Sequence, residues 1–296
     1  MRAEKSTSWH IGVLGGSGLA AGIGLEEAQE IEVASPFGAP SAPVVTGRLG
    51  GVRFTFLARH GKGHAIAPGE VNYRANIDVL KRCGATDVLA LSAIGSLCEA
   101  MAPGDMVLVD QFIDRTTART GSFFGSGLVA HVSLADPTCE RLRTLLGKAA
   151  GQTGARVHPS GTYVCIEGPQ FSTRAESRMY QGWGGEVIGM TGMPEARLAR
   201  EAELPYAMLG MVTDYDCWRV EEAGVEVSHV LAVMQANAEV ARAALRELAA
   251  RLPRKRTPAP ADTALDHALI TAPEARDSAL VRKLDAVACR LFGERD

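Results

Sequence analysis

Short apolar runs alternate along this chain with segments whose apolar positions recur every three or four residues, the signature of strands interleaved with helices. WHIGVLGGSGL (9–19) reads as a buried strand entering a glycine turn, and VRFTFLARHG (52–61) as a second strand. GEVNYRANIDVLKRCG (69–84) predicts a helix with Val71, Ala75, Val79 and Leu80 on one face and Gly84 as its stop. DVLALSAIGSL (87–97) and GDMVLVDQFI (104–113) predict one strand each. The helix CERLRTLLGKAAG, strand GTYVCIEGP, helix TRAESRMYQGW, strand EVIGM and helix PEARLAREAE then lead into the strand YAMLGMVTDY (206–215). A long amphipathic helix follows from about 229 to 251, with Ser228 as its N-cap. The proline-rich stretch 252–264 predicts a linker to a last helix at about 273–292, and residues 1–10 read as a tail. The expectation is one α/β domain over 1–296.

The polar and glycine-rich departures from this pattern fall at the C-terminal ends of predicted strands, at 15–18, 59–64, 92–96, 167–172, 190–191 and 213–216. In open α/β sheets that edge binds ligands. Ser17 in GGSGL offers a hydroxyl beside glycine amides, an arrangement suited to an anion or to a plain turn. ARHGKGH adds Arg59, a bidentate partner for an oxyanion, with His60 and His64. LSAIGSL ends its strand in Ser92, Ala93 and Gly95, small enough for backbone amides to approach a ligand or for tight packing. GGSGL does not fit G-x-G-x-x-G, and the chain has neither a P-loop nor a G-x-S-x-G elbow, so the anion reads as a substrate. In TDYDCW, strand alternation would aim the carboxylates of Asp214 and Asp216 at one place. Close acids do not readily ionise together, so the pair suggests one shared proton.

Bulk properties narrow the partners. A net charge of −3 gives no footprint for nucleic acid or an acidic membrane, and the basic run RLPRKR (251–256) reads as a solvated helix end. The six scattered cysteines lack metal spacing, predicting free, mostly buried thiols and a cytoplasmic setting. No apolar run reaches the length of a membrane helix, and no signal peptide opens the sequence.

Seven ordered stretches, GGSGL, ARHGKGHAIAPGEVNYRANI, SAIGSL, PGDMVLVDQFIDRT, IEGPQFSTRAE, GMTGMPEARLAREAELPYA and TDYDCW, resemble the purine nucleoside phosphorylase and methylthioadenosine phosphorylase family over about residues 11–250. The resemblance implies a mixed central sheet flanked by helices and phosphorolysis of a purine nucleoside, with inorganic phosphate as co-substrate and neither cofactor nor metal. By motif, Ser17, Arg59, His60, Ser92, Ala93 and Thr191 correspond to phosphate binders, Met190 to the residue against the ribose, and Phe171 to the residue flanking the base. Catalysis would fall to Asp214, Asp216 and His60. The family pairs Asp at 214 with 6-aminopurines, and Ser172 stands where 6-oxopurine enzymes carry Glu. An apolar Val227 suits a 5′-methylthio group. His131 matches a position that reaches the 5′ pocket of a neighbouring subunit, which implies a homotrimer or homohexamer. One feature points elsewhere: Gly189, in GMTGMPE, resembles bacterial relatives that cleave methylthioinosine. The expected substrate is therefore 5′-methylthioadenosine, with adenosine or methylthioinosine as alternatives, and a water-using nucleosidase or a non-catalytic nucleoside binder as rivals.

Overall fold

The computed structural model describes residues 8–292 apart from 17, 18, 21 and 220–226, with side chains from 237 onward in the last helix of the core. In chain order the elements are β1 His10–Gly15, β2 Glu26–Ile31, β3 Val44–Leu49, β4 Val52–Ala58, α1 Tyr73–Arg82, β5 Asp87–Ser96, β6 Met106–Val109, β7 Gln111–Asp114 and α2 Glu140–Ala150. They continue with β8 Val157–His158, β9 Thr162–Cys165, α3 Arg174–Gly182, β10 Val187–Gly189, α4 Gly192–Glu201, β11 Tyr206–Asp214, α5 Val227–Arg251, α6 Ser278–Lys283 and α7 Cys289–Phe292. One mixed sheet runs β2-β3-β4-β1-β5-β10-β9-β7 and forks at β5, which also pairs with β11; β11 continues to β6 and β8.

Burial on both faces explains the unbroken apolar character of the central strands. Val88, Ala90 and Ile94 of β5 face one core cluster with Ile77 and Ala196, while Leu89 and Leu91 face the other with Leu142 and Leu245. β11 alternates likewise, with Met208 and Val212 on one side and Leu209 and Met211 on the other. β1, β4, β5 and β11 are mutually parallel, so their C-terminal ends share one edge.

Several elements depart from expectation. GDMVLVDQFI forms two strands, because Asp110 turns aside to exchange hydrogen bonds with Gly161. β6 then joins β11 and β7 joins β9. The exposed, acid-rich β2 carries no apolar period and is held by antiparallel pairing with β3. The tail ends earlier than expected: Trp9 is buried, and its indole N–H donates to the Pro253 carbonyl at 2.8 Å. Arg256 of the basic run is also buried, paired with Asp87 and Asp262. The C-terminal helix is broken into short pieces. Asp277 caps α6, Leu284 and Val287 enter the core between α6 and α7, and Arg290 pairs with Glu203 and Asp266. Cys139 and Cys165 are buried, but Cys83, Cys98 and Cys217 are half-buried and Cys289 is exposed. Among the described residues no helix is long and apolar enough to cross a membrane.

Candidate active site

Two hydroxyls predicted from separate motifs meet in the second half of β5. Ser92 Oγ lies 3.2 Å from Thr191 Oγ1 and donates to the Ala93 carbonyl at 3.1 Å. Both residues are buried. Thr191 precedes α4, and its backbone N–H donates to the Tyr163 hydroxyl at 3.2 Å. Ser17 lies outside the described residues.

Arg59 turns inward instead of opening on an anion. It is 2% exposed, and its Nε and Nη2 donate to Glu195 at 2.6 and 3.0 Å. Nη1 and Nη2 also donate to the carbonyls of Leu91 and Leu14, both at 3.3 Å. Four of the five guanidinium N–H groups thus have protein partners. The bidentate partner anticipated as an oxyanion substrate is the α4 carboxylate. Burial alone would lower the Arg59 pKa; the Glu195 carboxylate more than reverses this and holds it above its ordinary value.

His60 Nδ1 sits 2.9 Å from the Ile66 carbonyl. A carbonyl only accepts, so Nδ1 carries the proton and Nε2 keeps its lone pair. The ring stacks on His64 at 4.2 Å between centroids. Burial chiefly, with Arg59 adding to it, lowers the His60 pKa to about 4. His10 is lowered to about 4 as well, by burial and then by Arg53. In both cases the unfolded chain binds a proton below about pH 6.5 that the folded chain refuses until about pH 4. Stability is therefore expected to rise with pH across that window and to level off above it, with a slope of about 1.4 kcal/mol per pH unit per histidine. Urea titrations from pH 4 to 7 on wild type and His10→Asn measure this. An unchanged slope in the variant would remove His10 from the account.

Strand alternation does not set the acidic pair, because β11 shifts register between Val212 and Asp214 and ends there. Asp216 then adopts the left-handed region, with φ at 51°, and donates its backbone N–H to Asp214 Oδ1 at 2.8 Å. Asp214 Oδ2 lies 2.7 Å from the Thr213 hydroxyl. The Asp216 carboxylate accepts from Ser177 of α3, a contact the sequence reading missed. The T-x-x-E spacing was its signal: Thr173 and Glu176 form a capping box that starts α3 and sets Ser177 one turn in. Burial first, then the Asp214 charge, raises the Asp216 pKa, and the Ser177 hydrogen bond opposes this. Each carboxylate is held by donors of its own, Asp214 by the Thr213 hydroxyl and the Asp216 amide, and Asp216 by Ser177. Gly95 makes room for them: a Cβ there would stand 3.0 Å from Asp214 Oδ1 and 3.6 Å from Asp216 Cβ.

Gly168, at φ 68°, lets the loop before α3 press on Met190, whose sulfur would lie 2.5 Å from any Cβ there. That contact joins Met190 to the loop carrying Phe171 and Ser172. Phe171 is exposed, whereas the Ser172 hydroxyl oxygen is buried with no hydrogen-bond partner among the described residues. Gly189 has a packing cause, since a Cβ there would stand 2.3 Å from the Tyr163 hydroxyl. The residue that pointed toward methylthioinosine is thus required by its neighbour. His131 is exposed and lines a cavity with Arg74, Ser122, Arg197 and Glu201 that none of the described phosphate candidates lines. The Val227 side chain lies outside the described residues. Among the described residues no group of three or more His, Cys, Asp or Glu side chains is placed to hold a metal ion.

Known proteins share this arrangement of elements. S-methyl-5′-thioadenosine phosphorylase of Cereibacter sphaeroides is 57% identical over 284 residues, spanning 95% of this chain and 98% of that protein. The Bradyrhizobium diazoefficiens protein of the same name is 55% identical over 284 residues, with the same coverage of 95% and 98%. The crystal structure of a methylthioadenosine phosphorylase sourced from an antarctic soil metagenomic library superposes with a TM-score of 0.89 at 43% identity, covering 95% of this chain and 99% of that chain. Methylthioadenosine phosphorylase from Schistosoma mansoni in complex with adenine gives 0.77 at 41%, covering 81% and 91%. The family profile matches residues 10–250, from the first residue of β1 to the last turn of α5. A match that takes in the whole forked sheet and every strand end described above makes the chain a member of the phosphorylase superfamily.

Proposed function

We infer that the chain is a pentosyltransferase that cleaves 5′-methylthioadenosine with inorganic phosphate, giving adenine and 5-methylthioribose 1-phosphate, a step of purine and methionine salvage. The observation that carries this reading is the arrangement along β5. The Ser92–Thr191 hydroxyl pair stands at residue 92 and Asp214 packs on residue 95, about 10 Å further at the rise of a strand. An anion held at one end and a base at the other would leave the ribose C1′ between them.

In this reading a phosphate oxygen attacks C1′, the C1′–N9 bond breaks, and its electron pair passes into the purine while N7 receives a proton. Charge spreads over an oxocarbenium-like transition state, so positioning and electrostatics supply most of the acceleration. Ser92, Thr191, the Ala93 backbone and Ser17 bind phosphate, and the His60 Nε2 lone pair accepts from a protonated phosphate oxygen. Arg59 acts as a buried positive charge behind the anion. Asp214 accepts from the adenine N6 amino group. Asp216, the carboxyl pushed up, is suited to hold the proton for N7. The Ser172 hydroxyl donates to adenine N1, and Met190 and Phe171 flank the ribose and base. Val227, by its apolar character, is assigned to the 5′-methylthio group. His131, whose cavity none of the described phosphate candidates lines, serves the 5′ pocket in a neighbouring copy of a homotrimer or homohexamer. The free cysteines fit a cytoplasmic enzyme, and the donor set fits a reaction without metal or organic cofactor.

Product analysis over a panel of nucleosides, with and without phosphate, tests the reading. Adenine release from methylthioadenosine is expected to require phosphate and to exceed release from adenosine, since one thiomethyl group contributes about 1–3 kcal/mol in an apolar pocket. Equal cleavage in phosphate-free buffer would make the enzyme a nucleosidase, and adenosine preference would overturn the 5′ assignment.

A further inference from the structure

The loop after β7 carries an arginine whose side chain is 2% exposed and which belongs to no motif considered above. Arg119 Nε donates to Glu167 Oε1 at 2.7 Å, and Nη2 donates to the carbonyls of Glu167 at 2.7 Å and Ile166 at 3.3 Å. Nη1 serves the carbonyls of Met190 at 2.6 Å and Met193 at 2.7 Å, and the Tyr73 hydroxyl at 3.0 Å. The guanidinium also lies over the Tyr73 ring, 5.3 Å from its centroid. All five N–H groups are committed to the protein, so Arg119 has none left for a substrate.

The acceptors form two sets. Met190 and Met193 bracket Thr191, so one nitrogen pins both ends of the turn that sets the Thr191 hydroxyl against Ser92. Ile166 and Glu167 begin the loop that continues through Gly168 to Phe171 and Ser172. That loop is anchored a second time, because Glu167 Oε2 accepts the backbone N–H groups of Thr117 and Ala118 at 2.6 and 3.0 Å. Those amides and Arg119 outweigh the cost of burial and lower the Glu167 pKa to about 2, so the carboxylate stays charged across the working pH range.

We propose that Arg119 is a positioning residue for phosphorolysis: its guanidinium ties the Met190–Met193 turn, with its phosphate and ribose contacts, to the Ile166–Ser172 loop, with its base contacts. This rests on the reading under Proposed function. Arg119 acts through Thr191 and Ser172 and touches no reactant. Because its two arms serve different ends of the site, they are separable. Glu167→Gln loosens only the base-side arm and leaves the contacts to Met190 and Met193, whereas Arg119→Met removes both. Arg119→Lys keeps a positive charge and N–H donors for part of the set.

The test is steady-state kinetics of the full chain with methylthioadenosine and phosphate, beside thermal melting. Misplacement by a fraction of an ångström is expected to raise both KM values about tenfold and to lower kcat in Arg119→Met, with Arg119→Lys recovering part of the loss. Glu167→Gln is expected to raise the nucleoside KM several-fold, about three to ten, with the phosphate KM at its wild-type value. A lowered melting temperature with both KM values unchanged would make Arg119 a fold prop and overturn the proposal. So would Glu167→Gln moving the two KM values together or neither. If Arg119→Met does not fold, the Glu167→Gln split decides. If the wild type cleaves without phosphate, the chemical reading fails, and hydrogen exchange judges the positioning claim. In Arg119→Lys, amides at 163–172 and 189–195 should exchange faster together while α2 and α5 keep wild-type rates, and unchanged exchange in those two segments would overturn it.

Discussion

A Glu195→Gln protein is expected to lose about 3–5 kcal/mol of unfolding free energy, the usual result of stranding one member of a buried ion pair. Arg59 and Glu195 are 2% and 1% exposed, so water cannot reach the guanidinium to replace the lost charge. The amide still accepts through its oxygen, but its NH₂ faces a donor. The Tyr206 hydroxyl, 3.1 Å from Glu195 Oε2, loses a charged acceptor at the same time. The damage reaches the site because the pair joins the end of β4 to α4, and Thr191 immediately precedes α4. Urea denaturation gives the number directly. A loss below about 1 kcal/mol, the range of an exposed pair, would mean that the pair is solvated and that the inward placement of Arg59 is wrong.

Asp214→Asn is expected to reduce kcat/KM on methylthioadenosine by about ten- to a hundredfold, matching the roughly 1.5–3 kcal/mol of a charge-assisted hydrogen bond. Methylthioinosine should suffer less. An Asn amide presents NH₂ to the O6 of hypoxanthine, where a carboxylate presents repulsion. Ser172→Glu in the same background should shift the balance further, by offering an acceptor for the N1–H of a 6-oxopurine. Both nucleosides are assayed on the wild type, the single variant and the double variant. If the ratio of the two activities stays constant, the acceptors of Asp214 serve only its own turn, through the Thr213 hydroxyl and the Asp216 amide, and the base assignment falls.

Periodicity located the elements that matter most. The runs at 87–97 and 206–215 became β5 and β11, and their unrelieved apolar character followed from burial on both faces. Polar residues at strand ends then marked the site, since a carboxylate or serine closing a buried strand is costly unless something uses it. Ser92 and Thr191, 99 positions apart, were both legible as candidates, and the fold brings their oxygens to 3.2 Å.

Local pattern fell short where a side chain chooses between partners distant in sequence. β2 has no apolar period because pairing with β3, not burial, holds it. Arg256 looked solvated because Asp87, 169 residues away, cannot be seen from its own neighbourhood. Arg59 could have met an anion or a carboxylate with equal chemistry, and only packing against α4 chose Glu195. Arg119 left no mark at all, for four of its acceptors are main-chain carbonyls, which carry no sequence signal. The sequence alone determined the central strands β1, β4, β5 and β11 with the helices between them, the polar strand ends and the residue types available there, because these depend on side-chain period and composition. The tertiary structure decided which charge faces which, where β11 stops, and how the two acids are held, because those depend on partners that only the folded sheet brings within hydrogen-bonding distance.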